Sequence, residues 1–163
     1  MTVTVAEPWV EEPLRRFVDD ARVLFALLVH PSGQVLGQHG FTRAVDVMSA
    51  CALAAAIHAS AGALGRELEA RPFRELYHAG RERQIFLAEA PTPRGCFVLL
   101  TAFDRATSLG LVRVYYDEFR LALATAALPE ALPLAPADDF ERQLNRSLAT
   151  LFGRGHPGDL PSA

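Results

Sequence analysis

The side chains able to support catalysis or metal binding are scattered along this 163-residue chain. Metal sites and catalytic pairs need such residues at set spacings, as in HExxH on one face of a helix. No histidine has a partner at such a spacing, and the two aspartate pairs are typical of charges at helix ends. We therefore expect no metal, no cofactor and no active site of its own from His30, His39, His58, His78, His156, Asp19, Asp20, Asp138 and Asp139.

The basic residues exclude further classes of function. All sixteen are arginine, so the chain has no lysine for a Schiff base, a general base or the phosphate-binding loop of an NTPase. The formal net charge of −3 argues against a broad basic surface for nucleic acid or for an anionic membrane. The expected partners are therefore small molecules or other proteins.

The two cysteines, Cys51 and Cys96, each lie in an apolar run, where cysteine is usually a small buried residue. A disulfide framework or a zinc site is not expected from them. The stretch MTVTVAEPWVEE lacks the pattern of a signal peptide, and the longest strongly apolar run, residues 23–29, is too short to span a bilayer as a helix. We expect a soluble cytoplasmic protein without a membrane span.

Helices and strands must hold these side chains in place. The pattern of apolar residues predicts helices and strands along most of the chain. The first helix has two candidate starts, Trp9 and Pro13, because proline suits the first turn of a helix. A turn-rich PTPRG loop is expected between the last two strands. The predicted elements are a helix over 9–21, a hairpin over 22–38, a long helix over 45–70, strands over 72–80, 83–90 and 96–104, and a helix over 109–128.

The last of these helices includes a stretch, LVRVYY, whose composition is typical of a strand. Its apolar residues nevertheless recur at steps of three and four over five turns, which is the spacing of one helix face. Thr107 or Ser108 would supply the N-cap. The apolar residues that recur at this spacing, and so favour a helix, are Leu109, Val112, Tyr116, Phe119 and Leu123.

The long helix combines large apolar residues with many small ones. Small side chains let another backbone approach closely, so they could pack on the sheet of the same chain or form a surface between molecules. The small residues lie on more than one side of the helix, whereas one sheet needs only one side, and both interpretations stay open. The residues concerned are Ala52, Ala55, Ala56, Ala59, Ser60 and Ala63.

This order of elements predicts an α+β domain over residues 10–128. It would contain a five-stranded antiparallel sheet flanked by helices, in the order α-β-β-α-β-β-β-α. A proline-rich linker over 129–137 would separate this domain from an amphipathic helix over 138–152. Residues 153–163 are expected to form a disordered tail.

Three quoted stretches, in this order, carry a resemblance to a known family: VLFALLVHPSGQVL at 23–36, PFRELYHAG at 72–80 and FDRATSLGLVR at 103–113. The chain resembles the roadblock (dynein light chain) family. The resemblance implies a homodimer in which the strands over 73–78 of two protomers pair edge to edge and the long helices lie side by side. The residues that it places in the dimer interface are Ala52, Ala55, Ala59, Phe73, Glu75 and Tyr77.

A bacterial branch of that family regulates an MglA-like, Ras-family small GTPase in cell polarity or gliding motility. The resemblance implies that this chain binds such a GTPase on the helix side of its dimer and stimulates GTP hydrolysis without an arginine finger. It also implies that the C-terminal helix promotes nucleotide exchange. The residues expected to contact the GTPase are Ala56, Ser60, Ala63, Phe140, Leu144, Leu148 and Leu151.

The alternative is a non-catalytic roadblock scaffold, which docks a GTPase or another protein without changing its rate. Several arginines could in principle act as fingers on a partner's active site. Solvated surface arginines are the simpler interpretation of all of them: Arg43, Arg66, Arg71, Arg74 and Arg105.

Overall fold

Three helices and five strands make up the part of the chain that the computed structural model describes, residues 7–43 and 45–129. The predicted linker beyond its first residue, the C-terminal helix over 138–152 and the tail lie outside the described residues. In chain order the elements are α1 (Pro8–Ala21), β1 (Phe25–Val29), β2 (Val35–Gly40), α2 (Val47–Glu69), β3 (Glu75–Ala79), β4 (Gln84–Thr92), β5 (Gly95–Phe103) and α3 (Leu109–Ala126).

The strands form one antiparallel sheet in the order β2-β1-β5-β4-β3. The predicted α+β architecture and its element order are thus confirmed. β5 is the central strand, as its apolar composition predicts, and it is buried from Phe97 to Phe103. The short strand β3 lies at one edge of the sheet and exposes most of its side chains.

Helices cover the sheet on both faces. On one face α1 and α3 pack through Leu14, Phe17, Phe119 and Leu123, which belong to a large apolar cluster. On the other face α2 alone packs on a smaller cluster, to which it contributes Cys51 and Ala54. A sheet covered on both sides explains why β1 is a continuous apolar run with no polar alternation.

The stretch with strand-like composition is helical in the structure. Ser108 caps α3, because its hydroxyl accepts a hydrogen bond from the backbone nitrogen of Leu111 at 3.3 Å. Four of the five predicted stripe residues are buried against the sheet, among them Tyr116, whose ring meets Phe86 edge-on at 5.3 Å. Burial of one face therefore outweighs the low helix propensity of valine and tyrosine.

Three details differ from the sequence predictions. α1 begins at Pro8, with Pro13 inside it, because the turn before Pro13 buries Val10 against the sheet. The predicted PTPRG loop is shorter, since β4 and β5 stay paired out to Thr92 and Gly95. Cys96 was expected to be buried but is exposed near this turn, whereas Cys51 is buried as expected.

Candidate functional site

The outer surface of α2 carries the large apolar residues of that helix. Leu53, Leu64 and Leu68 are 62%, 53% and 67% exposed. The face that packs on the sheet is made instead of small residues, including Cys51, Ala54 and Gly62. An ordinary surface helix turns its bulky apolar side chains inward. Exposed apolar residues grouped in this way are typical of surfaces that contact another protein.

Two stripes of apolar residues run along the outer part of α2. Leu53, Ile57, Leu64 and Leu68 recur at helical spacing on one flank and form the leucine stripe. Small residues recur at steps of four, three and four on the other flank and form the alanine stripe. Its members are Ala52, Ala56, Ala59 and Ala63.

Ala52 places the N-terminal part of α2 near the turn between β1 and β2. A methyl group placed on Gly33, in that turn, would lie 3.5 Å from the Cα of Ala52. The half-buried Ile57 of the leucine stripe packs on an apolar cluster that also contacts Val35 of β2 and Leu76 of β3. The two stripes lie on opposite sides of the face of α2 that packs on the sheet.

The structure places the predicted contact residues of α2 on different faces of the helix. Ala52 and Ala59, expected at the dimer interface, share the alanine stripe with Ala56 and Ala63, which were expected to contact the GTPase. Ala55 is only 8% exposed, because it faces the sheet of its own chain. Ala55 therefore has almost no surface for contact with another molecule. Ser60 is exposed, and Phe140, Leu144, Leu148 and Leu151 lie outside the described residues.

The outer edge of β3 has no strand partner among the described residues, while its inner edge pairs with β4 from Glu75 to Ala79. The side chains expected at a dimer interface make contacts within the protomer. Glu75 forms an ion pair with Arg113 of α3 at 2.6 Å. The hydroxyl of Tyr77 donates a hydrogen bond to Gln84 at 2.6 Å. These side chains are thus engaged within the chain, whereas the outer backbone edge of the strand is of the kind that can pair with another strand.

A polar cluster ties α2 to the β3 end of the sheet. The Nε2 of His58 lies 3.3 Å from the carboxylate of Glu89 on β4, and both side chains are mostly buried. The guanidinium of Arg74, just before β3, lies 3.9 Å from the same carboxylate. Glu89 also donates its backbone N–H to the carbonyl of Arg74 at 2.9 Å. One carboxylate thus joins the helix and the edge strand.

A close backbone approach holds the C-terminal end of α2 against the segment that leads into β3. A Cβ on Gly65 would collide with the backbone nitrogen of Phe73 and would lie 2.7 Å from the carbonyl oxygen of Arg71. Phe73, expected at the dimer interface, is half-buried here. Only glycine lets α2 approach this closely.

Comparison with known proteins assigns the family. The description "Roadblock/LC7 domain" belongs to the family model that matches residues 10–101. The chain belongs to the Roadblock/LC7 domain family. No match is found among curated protein sequences.

This roadblock domain is similar in structure to several solved proteins. Myxococcus xanthus MglB has 27% sequence identity and a TM-score of 0.65, over 71% of this chain and 92% of that one. The gliding protein MglB of Thermus thermophilus has 26% identity and a TM-score of 0.65, over 78% and 97%. A structure described as MglB with tetrameric arrangement, at 24% identity and a TM-score of 0.67 over 78% and 96%, shares the fold.

Two further observations bear on the chemistry of the roadblock domain. Across residues 7–43 and 45–129, no group of three or more histidine, cysteine or acidic side chains could hold a metal ion. α2 is long and apolar enough to cross a membrane by length and composition alone, a weak criterion that core helices of soluble proteins also meet. Its apolarity comes from the alanines and the leucine stripe.

Proposed function

We propose that this roadblock domain is a homodimeric regulator that binds a Ras-like small GTPase and stimulates GTP hydrolysis. The observation that carries the proposal is the reversed amphipathicity of α2 together with an edge strand, β3, whose outer side has no partner within residues 7–43 and 45–129. A protomer with this surface needs a partner along both elements, and a second copy offers the same two elements. Similarity to MglB proteins supports the kind of regulator.

The leucine stripe is the part of α2 that we assign to the dimer seam. A two-fold axis that pairs the two β3 edges could also bring the two leucine stripes together. The bulky side chains also gain most from burial, at about 25 cal/mol per Å². This assignment replaces the alanines expected at the seam with Leu53, Ile57, Leu64 and Leu68.

The alanine stripe is then left on the outer side of the dimer, and we assign it to the GTPase, whereas Ser60 lies between Ile57 and Leu64 of the leucine stripe. A nearly flat surface of small side chains suits contact with the backbone of mobile loops, such as the switch segments of a Ras-like GTPase. Regulation by positioning those loops needs no catalytic group from this chain.

The test measures phosphate release by the cognate Ras-like GTPase while the dimer is titrated to saturation. We expect turnover to rise with wild-type protein and to stay at the intrinsic rate with Ala56→Arg, which places a long charged side chain on the alanine stripe. The matched control is Glu82→Arg, in the exposed turn between β3 and β4. A complex that forms without any change in turnover would establish the scaffold alternative instead.

The C-terminal helix predicted over 138–152 is assigned to nucleotide exchange. Its apolar residues Phe140, Leu144, Leu148 and Leu151 would contact the GTPase. Release of a fluorescent GDP analogue, measured with the full chain and with a chain ending at Leu128, tests this role. We expect slower release with the shortened chain and an unchanged hydrolysis rate, and equal release rates would rule the role out.

A further inference from the structure

A groove runs between α1 and α3, on the face of the sheet opposite α2. Its floor is apolar and is formed by Pro13 and Phe17 of α1 with Tyr115, Phe119 and Ala122 of α3. It encloses about 110 Å³, well below the roughly 300 Å³ of the smallest typical small-molecule sites. A groove of this size suits individual side chains of a protein rather than a whole ligand.

The rim of the groove is acidic. Glu12 and Asp20 of α1 and Glu118 of α3 line it, against the single basic residue Arg16. Arg15, which does not line the groove, hydrogen-bonds the carboxylate of Glu12 at 2.7 Å and holds the pKa of that carboxyl below its ordinary value. Asp20 and Glu118 have no ion-pair partner among the described residues. These two carboxylates are therefore available to a basic partner.

Exposed apolar residues extend the groove along α3. Leu111 is 50% exposed and lies on the same helix face as Tyr115, Glu118 and Ala122. Leu121 is exposed on the adjoining outer face. Apolar contacts are thus available inside the groove and beside it, over the two turns of helix that the acidic rim spans.

We propose that this groove receives a basic amphipathic helix of a partner protein, about two to three turns long. The apolar side chains of that helix would enter the groove, and its lysines or arginines would meet Asp20 and Glu118. The acidic rim disfavours the other occupants, because a second copy would bring a like-charged rim and an anionic membrane would be repelled.

The groove is independent of the dimer and GTPase surfaces proposed above. α2 and β3 serve those contacts, whereas α1 and α3 cover the other face of the sheet. A partner in the groove leaves the alanine stripe uncovered. The domain could therefore bind a GTPase on one side and a basic helix on the other. Binding of the basic helix would bring the domain and its GTPase to the protein that carries that helix.

The test uses two fluorescent 15-residue peptides with the same leucine positions, one flanked by lysine and arginine and the other by glutamate. Fluorescence anisotropy is measured with the full chain. We expect the basic peptide to bind at least ten-fold more tightly than the acidic one. We expect Asp20→Arg combined with Glu118→Arg to reverse this preference, and Ala122→Trp, which fills the groove, to weaken the basic peptide at least ten-fold.

Glu67→Arg combined with Glu82→Arg is the matched control, since both residues are exposed away from the groove, and it should leave peptide binding unchanged. Equal binding of the two peptides, or binding insensitive to both groove variants, would overturn the proposal. The proposal would also be overturned if a groove variant lowered the mass of the protein assembly in sedimentation. Binding of the wild-type protein to anionic vesicles that the groove variants abolish would overturn it as well. GTPase stimulation should be unaffected by the groove variants, so this test is separate from that of the proposed function.

Discussion

At the scale of single residues, Glu89 has several distinct roles. Its carboxylate lies beside His58 and Arg74, and its backbone carbonyl accepts a hydrogen bond from the hydroxyl of Tyr116. Burial raises the pKa of that Tyr116 hydroxyl, which therefore stays protonated as a donor. One residue of β4 thus connects helices on both faces of the sheet.

The reactivity of Cys96 should report on the charge of Glu89. Partial burial, then the nearby carboxylate of Glu89, raise the pKa of the Cys96 thiol above its ordinary value. Because the thiolate is the reactive form, removing the negative charge lowers that pKa and increases the thiolate fraction at a fixed pH. We expect Glu89→Gln to speed alkylation of Cys96 at pH 8 and to move the pH–rate curve to lower pH.

The measurement is iodoacetamide labelling followed by mass spectrometry across pH 7 to 10, with Asp104→Asn as a control carboxylate away from the thiol. Cys51 should stay unlabelled in both proteins, because its thiol is buried and burial raises its pKa. A pH–rate curve that Glu89→Gln leaves in place would contradict this account of the Cys96 thiol.

At the scale of elements, the two buried glycines of α2 should respond in opposite directions to the same substitution. Gly62→Ala adds a methyl group that meets Pro72 and Arg66 only at ordinary contact distances, so the better helix propensity of alanine should raise the free energy of unfolding by about 0.5–1 kcal/mol. Gly65→Ala forces α2 away from the backbone around Phe73, and we expect a loss of about 1–3 kcal/mol.

Urea unfolding of the two variants provides the comparison, each serving as the matched control of the other. Equal stability changes would show that α2 does not pack closely on the segment before β3. The Gly65 variant should also weaken self-association, because that segment leads into the edge strand.

The N-cap of α2 should make part of the stability of this protein depend on pH. The Asp46 carboxylate accepts hydrogen bonds from the hydroxyl and the backbone N–H of Ser49, at 2.7 and 3.2 Å, and these bonds hold its pKa below the ordinary value of 3.8. A lowered folded-state pKa contributes stability above the unfolded-state value, and that contribution is lost as pH falls through the folded-state value.

We therefore expect Asp46→Ala to lower the thermal midpoint at pH 7 and to have progressively less effect as the pH falls below 3.8. Asp46→Asn, which can still cap a helix, is the control and should differ less from wild type at pH 7. A deficit in Asp46→Ala that is equally large at pH 7 and at pH 2 would rule out the charged cap.

The elements also show where sequence reasoning succeeds and where it stops. Residues 109–126 could be identified as a helix because burial of one face makes apolar residues recur at the helical period. That period is visible even though valine and tyrosine have low helix propensity. On α2 the same method fails to separate Ala55 from Ala56, since small residues occur on every side and fit both a sheet and a partner. The groove between α1 and α3 depends on how two distant helices meet, which no local period encodes.

At the scale of the whole molecule, the proposed seam predicts that dimerisation depends on the leucine stripe. Leu53→Glu combined with Leu64→Glu would bury two carboxylates from each protomer at the seam, and the desolvation cost should prevent association. We expect sedimentation of this variant to give a monomer at concentrations where the wild type is a dimer. Ala52→Glu combined with Ala63→Glu, on the alanine stripe, is the matched control and should remain dimeric. Monomers in the control and dimers in the leucine variant would reverse the assignment of the stripes.

The proposed seam on the reversed amphipathic helix α2 has a consequence for the abundance of this protein in a cell. A dimer stabilised through its seam gains stability with protomer concentration, so the first copies made would be the least stable ones. Those early protomers would present exposed leucines to chaperones and proteases until partners accumulate. The level of the protein would then have a threshold, below which new copies are degraded and above which they persist.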